Sequence, residues 1–272
     1  MAQGNLVEAV PLVLEALGTA RTTQGSQHDS TLIYMNLLAT MLATQGKLNE
    51  AEALYREALE VRLATLGPWH QRTLTLKSDL GGLLQSMGRL GEAEVLQRDV
   101  LEACRTTLGS QHPETLMSAS NIGSLLYEQG KLSEAEPIMR ETLKAMCTVL
   151  GALHSRTLTS TSNLAALLMA QGRLGEAEPL FKEVLASVRA TVGSQHPSTF
   201  ISMCNLGRLL GEQGKLREAE ALFSEALNGC GRVLGRAHAT TQAALTSLLS
   251  VLAAQGKARD ARDVKAQYGG RN

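Results

Sequence analysis

From Thr115 to Gln129 the small and apolar residues Leu116, Ala119, Ile122, Gly123 and Leu126 recur at three- and four-residue steps, which is one face of an α-helix. Gly130 closes the run, since glycine enters the left-handed backbone region without steric penalty. A second apolar stripe follows, made by Ala135, Ile138, Met139 and Leu143, and Leu150-Gly151 closes it in the same way. Ser133 and Glu136 have the spacing of a capping box at its start. The pattern predicts two antiparallel helices of about 15 to 18 residues joined by a short turn, each about 25 Å long at 1.5 Å per residue.

This unit recurs along the whole chain. Gly25, Gly67, Gly109, Gly151, Gly193 and Gly235 are 42 residues apart, and a second series, Gly4, Gly46, Gly88, Gly130, Gly172, Gly214 and Gly256, keeps the same period. All six histidines (His28, His70, His112, His154, His196 and His238) fall on it too. A fixed period of this length means stacked supersecondary units that bury surface against their neighbours. The expected organisation is one solenoid over 1–272. It has a half repeat at 1–25, with Gln3-Gly4 at the inter-helix turn. Full repeats follow at 26–67, 68–109, 110–151, 152–193 and 194–235, and the last, 236–272, closes on a helix from Arg259 to Gln267 rich in Arg, Asp and Lys. The first helix, Leu6 to Leu17, is apolar at Leu6, Val7, Val10, Leu12, Val13, Leu14 and Leu17, which suggests a piece of a longer array or an end that pairs with a second copy. Pro11, Pro137 and Pro179 share one phase near helix starts, where a missing N–H costs least.

Composition removes several function classes. The 272 residues carry 26 basic and 26 acidic side chains, a zero net charge that argues against phosphate-backbone binding. No apolar run approaches the roughly 18 residues needed to span a bilayer. Four cysteines (Cys104, Cys147, Cys204, Cys230) form no CxxC pair, and no Asn-x-Ser/Thr sequon is present, which points to a reducing, cytoplasmic setting. The pairs Glu52/Arg56, Glu94/Arg98, Glu136/Arg140 and Glu178/Lys182 place acid before base at i, i+4, the orientation that favours a helix, and read as a solvated outer face.

Candidate chemistry is sparse. Histidines one period apart lie on the order of 10 Å from each other on stacked helices, too far to share a zinc ion. No metal site and no cofactor is therefore expected. At the start of each first helix a histidine has loose backbone groups to bond, so a loop-fixing role is the expectation. GxSxG, HExxH and GxGxxG are all absent, and the Gly-Lys pairs lack the Ser or Thr of a phosphate loop. The chain is read as a non-enzyme.

The residues Asn163-Leu164-Ala165, Gln171-Gly172-Arg173, Glu176-Ala177-Glu178 and Gly193-Ser194-Gln195-His196-Pro197-Ser198-Thr199 resemble the tetratricopeptide repeat in its 42-residue variety, the kinesin light chain and nephrocystin-3 type. The resemblance covers essentially the whole chain. It implies an all-α, right-handed superhelical α-solenoid of stacked antiparallel helix pairs whose concave groove binds an extended peptide. No stretch has the sustained heptads with which kinesin light chains bind their motor chain. In such grooves the phase of Asp79, Asn121, Asn163 and Asn205 faces the concave surface, and a carboxamide there pairs with a peptide backbone whatever its side chains. An amide bonding between neighbouring helices would satisfy the same pattern, and both readings stand.

Other groove phases imply Tyr127, Met169 and Arg208 as selectivity residues, on a surface with too few cations for a carboxylate clamp. Trp69, in Gly67-Pro68-Trp69-His70, is either an exposed anchor or a cover for helix ends. The functional expectation is an adaptor or scaffold that binds a protein partner, with no nucleic acid and no membrane insertion. Its alternatives are the regulatory array of a larger signalling protein or enzyme, and homo-association through the N-terminal helix.

Overall fold

The computed structural model describes residues 2–268, with side chains from residue 9 onward. Among the described residues the chain forms thirteen helices and no strand. They are α1 (Ala2–Thr23), α2 (Asp29–Thr44), α3 (Leu48–Leu66), α4 (Gln71–Ser86), α5 (Leu90–Leu108), α6 (Pro113–Glu128), α7 (Leu132–Val149), α8 (Ser155–Ala170), α9 (Leu174–Val192), α10 (Pro197–Glu212), α11 (Leu216–Val233), α12 (Ala239–Ala254) and α13 (Ala258–Tyr268). Even-numbered helices have 16 residues, as in α4 and α10. The odd-numbered helices from α3 to α11 have 18 or 19, as in α11 and α9, while α1 has 22 and α13 has 11. The chain divides into two compact units, residues 1–135 and 136–272, with the boundary inside α7. Within each, a helix packs on the next along the chain: α2 on α3, α3 on α4 and α4 on α5 in the first, α8 on α9, α9 on α10 and α10 on α11 in the second.

Two glycines per repeat bend the chain differently. Gly130 has φ 75°, and the amide of Lys131 donates to the carbonyl of Leu126, the wrapped bond of a Schellman turn. By contrast Gly109 has φ 87° and ψ 159°, a region open essentially to glycine alone. The loop from Gly109 to His112 is held by side chains. His112 Nδ1 accepts from the Glu114 amide at 3.2 Å, and Thr115 Oγ1 donates to the Gly109 carbonyl at 2.8 Å. The histidine bond recurs at His28, His70, His154, His196 and His238. The expected loop-fixing histidine is therefore a helix N-cap in all six places.

Some expectations need correction. Ser133 is not a cap: α7 begins at Leu132, where the wrapped turn at Gly130 leaves the chain already helical. Glu136 turns outward to Arg140, Arg173 and Gln171 instead. Gln3 and Gly4 lie within α1 rather than at a turn. Nor are the acidic members of the outer pairs simply solvated. Each i, i+4 bridge forms, but the same carboxylate also takes a cation from the next inter-helix turn: Arg89 to Glu52 at 2.7 Å, Lys131 to Glu94 at 3.0 Å, Arg173 to Glu136 at 2.7 Å and Lys215 to Glu178 at 3.0 Å. These bonds clamp repeat to repeat from outside.

Size complementarity closes the interior. At Gly207 an added Cβ would come within 2.9 Å of the Phe223 ring. Of the apolar residues expected on the first helix, Val10 and Leu17 are buried and Leu12 and Leu14 exposed, while the side chains of Leu6 and Val7 lie outside the described residues. The closing helix α13 is polar and anchored by one buried residue, Tyr268, whose hydroxyl donates to Asn228 Oδ1 at 2.7 Å.

Candidate binding groove

Cavities recur at one position of the repeat, between two consecutive even-numbered helices with the intervening odd-numbered helix as floor. In the first unit, α4, α5 and α6 enclose about 370 Å³. Its floor is Val100 and Cys104, its walls Leu74 and Met117, its rim Trp69, Asp79 and Glu114. In the second unit, α8, α9 and α10 enclose about 430 Å³ with Val184 and Val188 as floor, Leu158 and Ile201 as walls, and Leu153, Asn163 and Ser198 on the rim. Each of these residues stands two 42-residue periods after its counterpart.

Each rim carries an apolar side chain open to solvent: Trp69 is 55% exposed and Leu153 61%. Isolated exposed apolar residues are ordinary, but gathered on the rim of a cavity they are the surface a partner would cover. The loop position that holds Trp69 and Leu153 is Gln27, Gln111 and Gln195 in the alternate repeats. This two-repeat alternation is a signal in the sequence that would have found both cavities, and reading one repeat at a time missed it.

The polar ladder meets these cavities. Asp79 lines the first, and Asn163 and Asn205 line the second. All four ladder residues, Asn121 included, are half-buried. Asn205 and Asp79 each bond to the preceding even-numbered helix. Asn205 Nδ2 donates to Ser162 Oγ at 3.4 Å, and the Asn36 amide bonds to the Asp79 carboxylate. Burial pushes the Asp79 carboxyl above its ordinary value, and the Asn36 bond offsets this only in part. Tyr127 is half-buried and Arg208 exposed. Met169 is buried at 8% exposure, beneath the surface of the groove.

The same geometry gives no support to a catalytic or metal site. Among the described residues no group of three or more His, Cys, Asp or Glu is placed to hold a metal ion. Burial pushes the thiols of Cys104 and Cys230 up, and that of Cys204 up to about 11, the opposite of an activated nucleophile. No described helix is long and apolar enough to cross a membrane.

Comparison with known proteins agrees with this architecture. The tetratricopeptide repeat profile matches residues 1–64, 72–148 and 156–231, and the chain belongs to that family, whose repeats are generally protein–protein interaction modules. No enzymatic family is indicated. Among solved structures it is similar to the nearly identical TPR-like repeats of a Podosopora anserina protein assigned as a kinesin light chain, at 27% identity over 75% of this chain and 97% of that one, with a TM-score of 0.63. BtubC (BKLC) from P. vanneervenii shares the fold at 20% identity, covering 85% of this chain and 92% of that one, with a TM-score of 0.68. A Rap protein solved with Competence and Sporulation Factor shares it at 12% identity, covering 94% and 72%, with a TM-score of 0.61. No curated protein matches the chain by sequence.

Proposed function

We propose that the chain is a non-catalytic adaptor or scaffold, working in the cytoplasm, that binds an extended segment of a partner protein in its groove. The observation that carries this reading is the recurrence of one cavity two periods apart, each time with a ladder residue on its edge. An extended segment presents backbone amides at a regular spacing and side chains between them. The carboxamides of Asn121, Asn163 and Asn205 hold the backbone, because an amide both donates and accepts. The cavities take side chains of the segment, with Tyr127 and Arg208 adding selectivity beside them.

The test is a pull-down with wild type and with Asn121→Ala, Asn163→Ala and Asn205→Ala combined, both checked for helicity by circular dichroism. Partners lost from a triple variant that keeps its helicity support backbone capture. Unchanged partners move binding off this face and leave the ladder as a bond between helices.

A second reading, self-association through α1, is favoured by Leu12, which is 66% exposed, and Leu14. It requires mass to rise with concentration and to stop rising in Leu12→Glu with Val13→Glu. A doubly charged variant that associates like wild type ends that reading.

A further inference from the structure

Resting on the groove reading above, we propose that the cavity enclosed by α4, α5 and α6 receives a cationic side chain of the partner segment, an arginine before a lysine. The first observation is charge without a counter-charge. Two carboxylates, Asp79 and Glu114, line this cavity and no Lys, Arg or His does. Among the described residues neither carboxylate has an ion pair. Their bonds are to neutral amides, Asp79 to Asn36 and Glu114 to Gln71 Nε2 at 3.2 Å.

A second observation comes from the chain itself. One period earlier, the same cavity position lies between α2, α3 and α4, and there it shrinks to about 160 Å³. The residue at the place of Cys104 is Arg62, 6% exposed, with its guanidinium 2.7 Å from Asp29. The fold thus accommodates a guanidinium at this position when a carboxylate meets it. In the next repeat Cys104 replaces the internal arginine and Gln71 replaces Asp29, so the space is open, and two carboxylates from other positions, Asp79 and Glu114, line it.

A third observation is the contrast two periods on, where Trp69, Asp79 and Glu114 are answered by the neutral Leu153, Asn163 and Ser198. That copy suits an uncharged apolar side chain. Arginine is favoured over lysine at the first because a planar guanidinium stacks on the Trp69 indole while its fork of N–H donors meets both carboxylates.

Trp69 is the one tryptophan in the sequence, so its indole N–H is a resolved reporter in a two-dimensional NMR titration. The probes are acetylated, amidated seven-residue peptides of alanine and serine with a central arginine or its neutral isostere citrulline. The expected result is saturable movement of the indole signal by the arginine peptide, at an affinity about tenfold above citrulline, the ratio one charge-assisted bond sustains. Asp79→Asn with Glu114→Ser should bring the ratio to about one, and both replacements already stand at the matching places of the second unit.

Equal affinities in wild type, no saturable movement, or an unchanged ratio in the double variant overturns the proposal. The Asn121, Asn163 and Asn205 triple variant separates this from the groove reading, since loss of backbone capture weakens both peptides alike. A retained arginine preference with no effect of the triple variant sinks the groove reading and leaves the cation site standing. The converse result sinks the cation site alone.

Discussion

The repeat at α2 and α3 and the repeat at α4 and α5 share a backbone plan, yet one is filled where the other is open. Both begin at a histidine cap and carry a wrapped glycine turn. Arg62 fills the first from within; Cys104, on the next floor, leaves room. In the second unit the contrast repeats by apolar means. Leu158 leaves a cavity open, and its counterpart Phe200, fully buried, extends against α11, where Gly229 would bring a Cβ within 2.2 Å of its ring. The backbone is specified by residues at loops and turns, while openness to a ligand is set by one or two side chains per repeat. A repeat protein can therefore vary its binding surface without disturbing its stacking.

The strongest way to break this contrast is Phe200→Ala. It empties a filled repeat and should cost about 3 to 5 kcal/mol, the range for a large-to-small aromatic change in a core. Hydrogen exchange is the measurement, with the loss of protection concentrated in α10 and α11; uniform loss along the chain would mean that burial is shared more widely than between neighbours.

Next in size is Asp29→Asn, which leaves the buried Arg62 without its carboxylate. A buried charge stripped of its partner is costly, and about 2 to 3 kcal/mol is expected because Asp29 itself is partly exposed. Denaturant titration checks it. A loss below about 0.5 kcal/mol, the level of an ordinary surface substitution, would show that Arg62 is held by packing of its stem alone.

The smallest effect sharpens what open and filled repeats have in common, the outer clamps. Hydrogen bonds from Gln129 and Lys131 hold Glu94 at about 2, against the opposing effect of burial, and Arg98 adds to them. Bonds from Gln171, Arg173 and Arg140 do the same for Glu136, and those from Lys182, Gln213 and Lys215 for Glu178, each to about 2. A lowered carboxyl value means the native state favours the ionised form. The stabilisation is then complete above the ordinary value of 4.5 and is lost as pH falls from there toward 2. Thermal midpoints should fall across that window in both units, and Glu94→Gln should flatten part of the fall. An unchanged slope in that variant would assign the acid sensitivity to other carboxylates.

Much of this architecture was legible in the chain. The 42-residue period, the helix lengths and the paired turns follow from glycine spacing and apolar phase, because φ > 0 admits few residues other than glycine and a helix must bury one stripe. The capping histidines were legible for the same local reason: an N-cap bond spans two residues. Ser133 was misassigned because the capping-box spacing also occurs one residue inside a helix, and only the wrapped turn at Gly130 shows where that helix begins. The ladder was visible as a phase, but its bonds were not, since Asn205 and Ser162 are a repeat apart in sequence.

Sequence by itself thus determined the class of fold, the 42-residue period and the capping histidines, which depend on local backbone geometry and apolar phase. Tertiary structure alone decided that Glu52, Glu94, Glu136 and Glu178 clamp repeat to repeat, that Met169 is buried, and that cavities open beside Trp69 and Leu153 while Arg62 narrows its own and Phe200 packs against Gly229. Those outcomes depend on three helices meeting at once, where a difference in side-chain volume between cysteine and arginine, or leucine and phenylalanine, decides whether space is left, and no single repeat contains all three.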